Sequence, residues 1–404
     1  MSVLIGSTPN TTEGDLVIAR GILDGSVKTE GSLSILQSFF NAKYDLSDTY
    51  FFNRGREAIY FLLQNLNPKP NDEVILQGFT CIAVVSPIIW SGCTPVYVDI
   101  KRDTFNMDLE KLEGMITEKT RAIIIQHTFG NIADMKKARD IVEKVNRGRE
   151  KKIFLLEDSA HILDFDNKEI GKYSDAFLFS FAQDKSVSST QGSVLVVNKR
   201  ELLDQNLTKK YEEVPTLTKN EALYNARYIL LWDKIKRGYF RTVFSSRITV
   251  GKILLVWYRL LGKIRKQASS GTVNFEGIHK MSEVQAKLLL TQLESLEKFN
   301  INRRRISKIY GREDVLLRYP ILVENPSEVK ERLREIGVIP GTWYSTPIFP
   351  IPWNNLECLG YKMGHCPEVE FCSKHIINLP TNIEVDQEKA KEIMNVINNH
   401  AKRI

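Results

Sequence analysis

The chain has 404 residues, 43% hydrophobic and 26% charged, a balance that excludes a disordered or fibrous protein and implies two or three globular domains. Its net charge of +7 is local, because residues 199–270 hold 16 Lys/Arg against 6 Asp/Glu while the remainder holds 40 against 43. A basic pI produced by one segment is no argument for a nucleic-acid-binding protein, and no nucleic acid is expected as a partner.

The opening stretch, MSVLIGSTPNTTEGD, lacks a basic segment followed by an apolar one, so no secretory signal is expected. No apolar run approaches the roughly 18 residues of a membrane-spanning helix. Cys81, Cys93, Cys358, Cys366 and Cys372 form no CxxC pair, which argues against a disulfide framework or a zinc site. A cytoplasmic protein without a metal centre is the expectation.

Between about residues 50 and 198, short β-rich runs alternate with helix-length stretches. EVILQG (73–78), TPVYVDI (94–100), RAIIIQH (121–127), KIFLLED (152–158), DAFLFSF (175–181) and GSVLVVN (192–198) are predicted strands. Several are apolar throughout, as strands covered on both faces should be. REAIYFLLQNL, CIAVVSPIIWSG, LEKLEGMI and DMKKARDIVEKV are predicted helices between them. The alternation predicts an α/β core with a mostly parallel sheet and helices on both faces, occupying 1–198.

Residues 199–270 break that rhythm with two helical stretches, Ala222–Arg237 and Lys252–Lys266, in which aromatic and basic residues interleave. The segment admits two readings. It is an amphipathic element lying on an anionic membrane through 222–266, or a pair of ordinary helices packed on the protein with their basic face in water, the commoner outcome. A helix over Met281–Asn300, the run RYPILVEN, a helix at SEVKERLREIG and a closing helix at Gln387–Ala401 then predict a smaller α+β domain over 271–404.

In an open parallel sheet, ligands bind beyond the carboxyl ends of the strands. Asp158 ends KIFLLED and is followed by Ser159, Ala160 and His161, while Ser180 and Lys185 flank the end of DAFLFSF. Asn53-Arg54-Gly55-Arg56 opens a helix, whose free amides suit an anion. A lysine amine condenses with an aldehyde cofactor, and a carboxylate beside a pyridine nitrogen keeps the ring protonated as an electron sink. Taken singly these residues are unremarkable, since an Asp after a strand is usually a cap and a Lys in a loop usually meets water.

Their order, with NRGREAIYFLL, HTFGNIADM, FLLEDSAH, FSFAQDKSVSSTQGSVLVVN and MSEVQAKLLLTQLESLEKFNINRR, resembles the DegT/StrS-type sugar aminotransferases from about Phe52 to Ile397, interrupted by the 199–270 segment. The resemblance implies a fold type I pyridoxal-phosphate transferase. It implies pyridoxal 5′-phosphate as cofactor, held by Lys185 as a Schiff base, with Asp158 on the pyridine nitrogen. It further implies phosphate contacts from Gly55, Arg56 and Ser180, and His161 where the family commonly has the glutamine that bonds the phenolic oxygen. Thr80 and Cys81 match the ring-stacking motif, although Cys81 replaces its aromatic residue. His127 falls near the cofactor in the family, or is a hydrogen-bonded histidine ending a strand. Lys280 stands where an arginine of the neighbouring subunit approaches the phosphate, without the bidentate fork of that residue.

The implied reaction is a ping-pong transfer of an amino group, from glutamate to a nucleotide-linked keto sugar, by a homodimer. Cys81, Ile278 and Ser193 depart from the family pattern, which leaves room for a regulatory or catalytically lapsed homologue. A non-sugar or lipid-linked keto substrate at a membrane is also left open.

Overall fold

The computed structural model describes residues 3–4, 10–44, 48–245, 248–264 and 274–404. A seven-stranded sheet runs in the order Thr49–Phe52, Ser193–Val197, Ala176–Ser180, Phe154–Asp158, Thr120–Gln126, Glu73–Gln77, Thr94–Val98. The last five of these are mutually parallel, as the alternating sequence predicts. Ser193–Val197 runs antiparallel to Ala176–Ser180, and Thr49–Phe52 antiparallel to Ser193–Val197. The connection 181–192 contains no helix to carry the chain back across the sheet, so the strand returns in the opposite direction.

Side chains alternate across the sheet. Leu76, Ile124 and Leu156 pack in the core beneath helices Gly55–Gln64 and Ile82–Trp90. Ile75, Ile123, Ile125 and Leu155 pack on the other face beneath helix Met135–Asn146. Both faces are therefore covered, which is why these strands are apolar at consecutive positions.

The predicted helix over Met281–Asn300 is two, Glu283–Leu293 and Leu296–Tyr310, separated at Ser295, where ψ is 0°. The smaller unit pairs Arg318–Leu322 antiparallel with Ile376–Pro380 under helices Pro326–Glu335 and Gln387–His400. Val3–Leu4 pairs in parallel with Val338–Ile339, so the first described residues join this unit rather than the 1–198 core.

In the basic segment, helix Lys219–Arg237 begins with a capping box in which Thr218 and Glu221 exchange hydrogen bonds. Ala222, Ala226 and Ile229 pack against Leu16, Ala19 and Ile22 and against Val284 and Leu288. This helix is thus part of the protein interior, which removes it from the predicted 222–266 membrane contact. Helix Val250–Leu260 lies beside it, and residues 265–266 of the second predicted helix fall outside the described residues. A Cβ on Gly251 would sit 2.3 Å from the Ile235 carbonyl oxygen and 2.6 Å from Tyr239 Cα. Both are backbone atoms that cannot rotate aside. Gly251→Ala is expected to cost about 1–3 kcal/mol, read as a lowered denaturation midpoint.

Candidate active site

The carboxyl ends of the central strands open into a cavity of about 870 Å³. Asp158, His161, Ser180, Lys185, Cys81, Gly55 and Arg56 all line it. Seven of the predicted site residues, spread over more than a hundred positions of sequence, are therefore brought together.

Asp158 sits opposite Gln126 and Leu178 in the ladder, with its side chain on the same face as Leu156. Its Oδ1 accepts the Ala160 amide at 3.0 Å. Burial raises its pKa, while that amide bond and the charges of Lys185 and His127 oppose the rise. Lys185 occupies the loop 181–192, whose backbone is held from outside. Asn10 Nδ2 donates to the Lys185 carbonyl at 3.1 Å, and Arg303 donates to the Ser186 carbonyl at 2.6 Å. The adjoining Asp184 pairs with Arg318 at 3.0 Å. Burial alone would raise the Asp184 carboxyl, but Lys185 and Arg318 outweigh it and hold it below the usual range.

At the other end, Gly55 begins a helix whose N-cap, Arg54, makes no side-chain cap. This helix terminus therefore lacks a capping side chain, and Gly55 and Arg56 line the cavity beside Ser180. A Cβ on Gly55 would lie 3.8 Å from Ser180 Oγ, so the two loops approach closely.

His161 is buried. Its Nδ1 accepts the Phe129 amide at 3.1 Å, which places the ring proton on Nε2, 3.2 Å from the Tyr344 hydroxyl. Burial, with the nearby Lys185 and Arg318 charges, pushes its pKa well below the usual value, so the ring is neutral. Cys81 caps helix Ile82–Trp90, its Sγ accepting the Ala83 amide, and burial pushes its thiol pKa up.

Three predicted residues lie elsewhere. Thr80 is beneath the cavity, donating to Gln126 Oε1 at 2.8 Å. His127 is also absent from the cavity lining, being bonded to Glu157 at 2.9 Å and to the Ala133 amide at 3.0 Å. The reason is strand parity: Glu157 follows Leu155 onto the opposite face of the sheet from Asp158. The strand-end reading of His127 therefore replaces the one near the cofactor. Lys280 also points away, donating to the Glu212 carbonyl at 2.7 Å and covering the Tyr211 ring, while His279 lines the cavity.

A profile of the DegT/DnrJ/EryC1/StrS aminotransferase family matches residues 38–220. A pleiotropic regulatory protein of Geobacillus stearothermophilus is 26% identical over 85% of this chain and 82% of its own length. GDP-perosamine synthase of Escherichia coli O157:H7 is 31% identical over 38% of this chain and 42% of its own. Helicobacter pylori PseC, an aminotransferase involved in the biosynthesis of pseudoaminic acid, superposes with a TM-score of 0.71, covering 99% of each chain at 18% identity.

Residues 38–220 are thus similar to the DegT/DnrJ/EryC1/StrS aminotransferase family.

The fold of the chain is the type I fold shared with sugar aminotransferases solved in pyridoxal-phosphate (PLP) and PMP-bound forms. The residues present fit that cofactor. Among the described residues, the buried Asp158 carboxylate receives the Ala160 amide and has no ion-pair partner closer than the general field of Lys185 and His127. A protonated pyridine nitrogen would complete it. The uncapped helix with Arg56 and Ser180 supplies the matching anion site.

Several residues of the cavity were not predicted. Gln126, Glu57, Trp343 and Tyr344 line the cavity, as do Tyr224, Tyr228 and Arg259 from the basic segment. Strand parity would have found Gln126, since it follows Ile124 onto the Asp158 face. Tyr344 comes from an irregular loop of the smaller unit and carries no periodic signal.

Glu57 accepts the His279 amide and Asn53 Nδ2, each at 3.0 Å, and burial pushes its carboxyl pKa up to about 7. The folded state therefore holds a proton that the unfolded state releases near pH 4.5. This group lowers stability as pH rises from about 4.5 through 7, and the loss then levels off. Glu57→Gln is expected to flatten the pH dependence of the melting temperature across that interval.

Proposed function

We propose that this aminotransferase moves an amino group from glutamate to a nucleotide-linked keto sugar in two half-reactions. We further propose that it works in the cytoplasm as a homodimer. The observation that carries the reading is the convergence of Lys185, Asp158 and the Gly55 helix terminus on one cavity roomy enough for cofactor and sugar.

Bound pyridoxal phosphate supplies an aldehyde for the incoming amine and a ring that accepts electrons from the α-carbon. Lys185 Nζ would hold the cofactor in place and, when free of it, would carry the proton to and from the reacting carbon. Asp158 would keep the ring nitrogen protonated. Arg56, Ser180 and the helix terminus would anchor the phosphate, and the neutral His161, its Nε2 beside the Tyr344 hydroxyl, would border the ring. Names of relatives that act on sugars, GDP-perosamine synthase among them, support the acceptor class.

A second reading, a cofactor-binding regulator, is favoured by the pleiotropic regulatory protein that matches most of the chain. Adding glutamate to purified holoenzyme separates the two. Transamination predicts loss of the cofactor's visible absorbance band with formation of one 2-oxoglutarate per site, reversed by an accepted keto sugar. A band that ignores every amino donor would establish the regulator.

A further inference from the structure

Helix Val250–Leu260 buries only Gly251 and Tyr258. Its Ile253, Val256 and Trp257, with Leu260 and the following Leu261, are exposed at spacings of three, four, seven and eight from the first, which places them on one stripe. Trp257 is 52% exposed and Leu260 81%, values that leave most of each side chain in solvent. Val243 and Ile248 of the adjoining hairpin are exposed as well. Elsewhere among the described residues the large exposed apolar residues are scattered singly, whereas here seven of the described ones fall within 243–261. Such a concentration marks an interaction surface.

The charge around the stripe selects its occupant. Between Asp233 and Glu276 the sequence contains ten Lys/Arg and no acidic residue. A second copy docked stripe to stripe would bring two such basic fields together, which is unfavourable. An anionic lipid surface neutralises them and takes up the apolar side chains, with Trp257 at the depth that tryptophan favours. The helix, about 16 Å long by its rise per residue, is too short to cross the roughly 30 Å of hydrocarbon. Among the described residues no helix is long and apolar enough to span a membrane. It would lie in the plane of the interface.

The opposite side of the same helix faces the catalytic cavity. Tyr258 packs with Tyr228, Trp232, Ile235 and Ile264, and Tyr228, Trp232, Arg259 and Ile264 line the cavity. We infer that helix Val250–Leu260 and its hairpin seat the outer wall of the cavity on an anionic membrane surface. The inference is independent of the substrate proposed above, because its test reads binding rather than turnover.

The test is flotation of the full-length holoenzyme with vesicles of phosphatidylcholine alone or doped with phosphatidylglycerol. The expected result is partitioning at least about tenfold higher onto the anionic vesicles, falling as salt is raised. Trp257→Glu/Leu260→Glu should lose about tenfold or more of that binding, and Arg241→Glu/Lys263→Glu should weaken it and its salt dependence. Cofactor absorbance and sedimentation mass should stay unchanged in both, which excludes misfolding. Equal binding to neutral vesicles, or full binding by the Trp257/Leu260 variant, would overturn the inference. So would a change in mass on substitution, which would make the stripe a contact between copies of this chain.

Discussion

Lys185→Ala is expected to reduce turnover by about 10,000-fold or more while leaving the protein folded. Loss of a positioned proton carrier alone costs about 100- to 10,000-fold, and the cofactor's covalent tether is lost with it. The loop should survive the change, because it is held through the Lys185 and Ser186 carbonyls by Asn10 and Arg303 rather than through the lysine side chain. Removing the ammonium also removes a charge that lowers the pKa values of Asp158 and Asp184, so both should rise. The checks are glutamate turnover, cofactor absorbance and partial rescue by a small alkylamine. Intact turnover in this variant would refute the assignment.

Asp158→Asn should carry the next largest effect, about a 100- to 1,000-fold loss in kcat, the range for removing one buried electrostatic partner of a transition state. The asparagine oxygen can still accept the Ala160 amide, so the strand end should keep its shape. What disappears is the negative charge, and a buried pyridine nitrogen without it favours its neutral form. A single-turnover assay with glutamate, set beside cofactor affinity, distinguishes this electronic loss from simple loss of binding.

Legibility varied with how local the signal was. The six strands between residues 73 and 198 were visible because their consecutive apolar residues meet helices on both faces. Lys185, Asp158 and Ser180 were visible because they stand where strands of a parallel sheet end, and the order of motifs around them carried the family resemblance. His127 was ambiguous because being one residue beyond a strand leaves the facing side undecided. Its bond to Glu157, on the far side of the sheet from Asp158, settles that side. Lys280 was placed by alignment with the family pattern, whereas its ammonium is taken by the Glu212 carbonyl.

Other features depend on residues distant in sequence. His161 alone is compatible with either charge state or tautomer. The Phe129 amide and the Tyr344 hydroxyl, from two separate loops, fix the tautomer, and burial beside Lys185 and Arg318 keeps it neutral. Composition showed that 199–270 is basic and aromatic, but an apolar helix face looks the same in sequence whether it meets a core, a cavity or lipid. Packing separates them: Ala222, Ala226 and Ile229 meet the core, Tyr228 and Arg259 meet the cavity, and Trp257 and Leu260 are left outside.

The sequence by itself determined the α/β class, which follows from periodicity, and its ordered motifs carried the resemblance that implies cofactor roles for Lys185 and Asp158. Only the tertiary structure decided which way His127 and Lys280 point, that Tyr344 and Glu57 join the cavity, and that one helix of the basic segment keeps an open apolar face. Those outcomes depend on neighbours that local sequence does not specify.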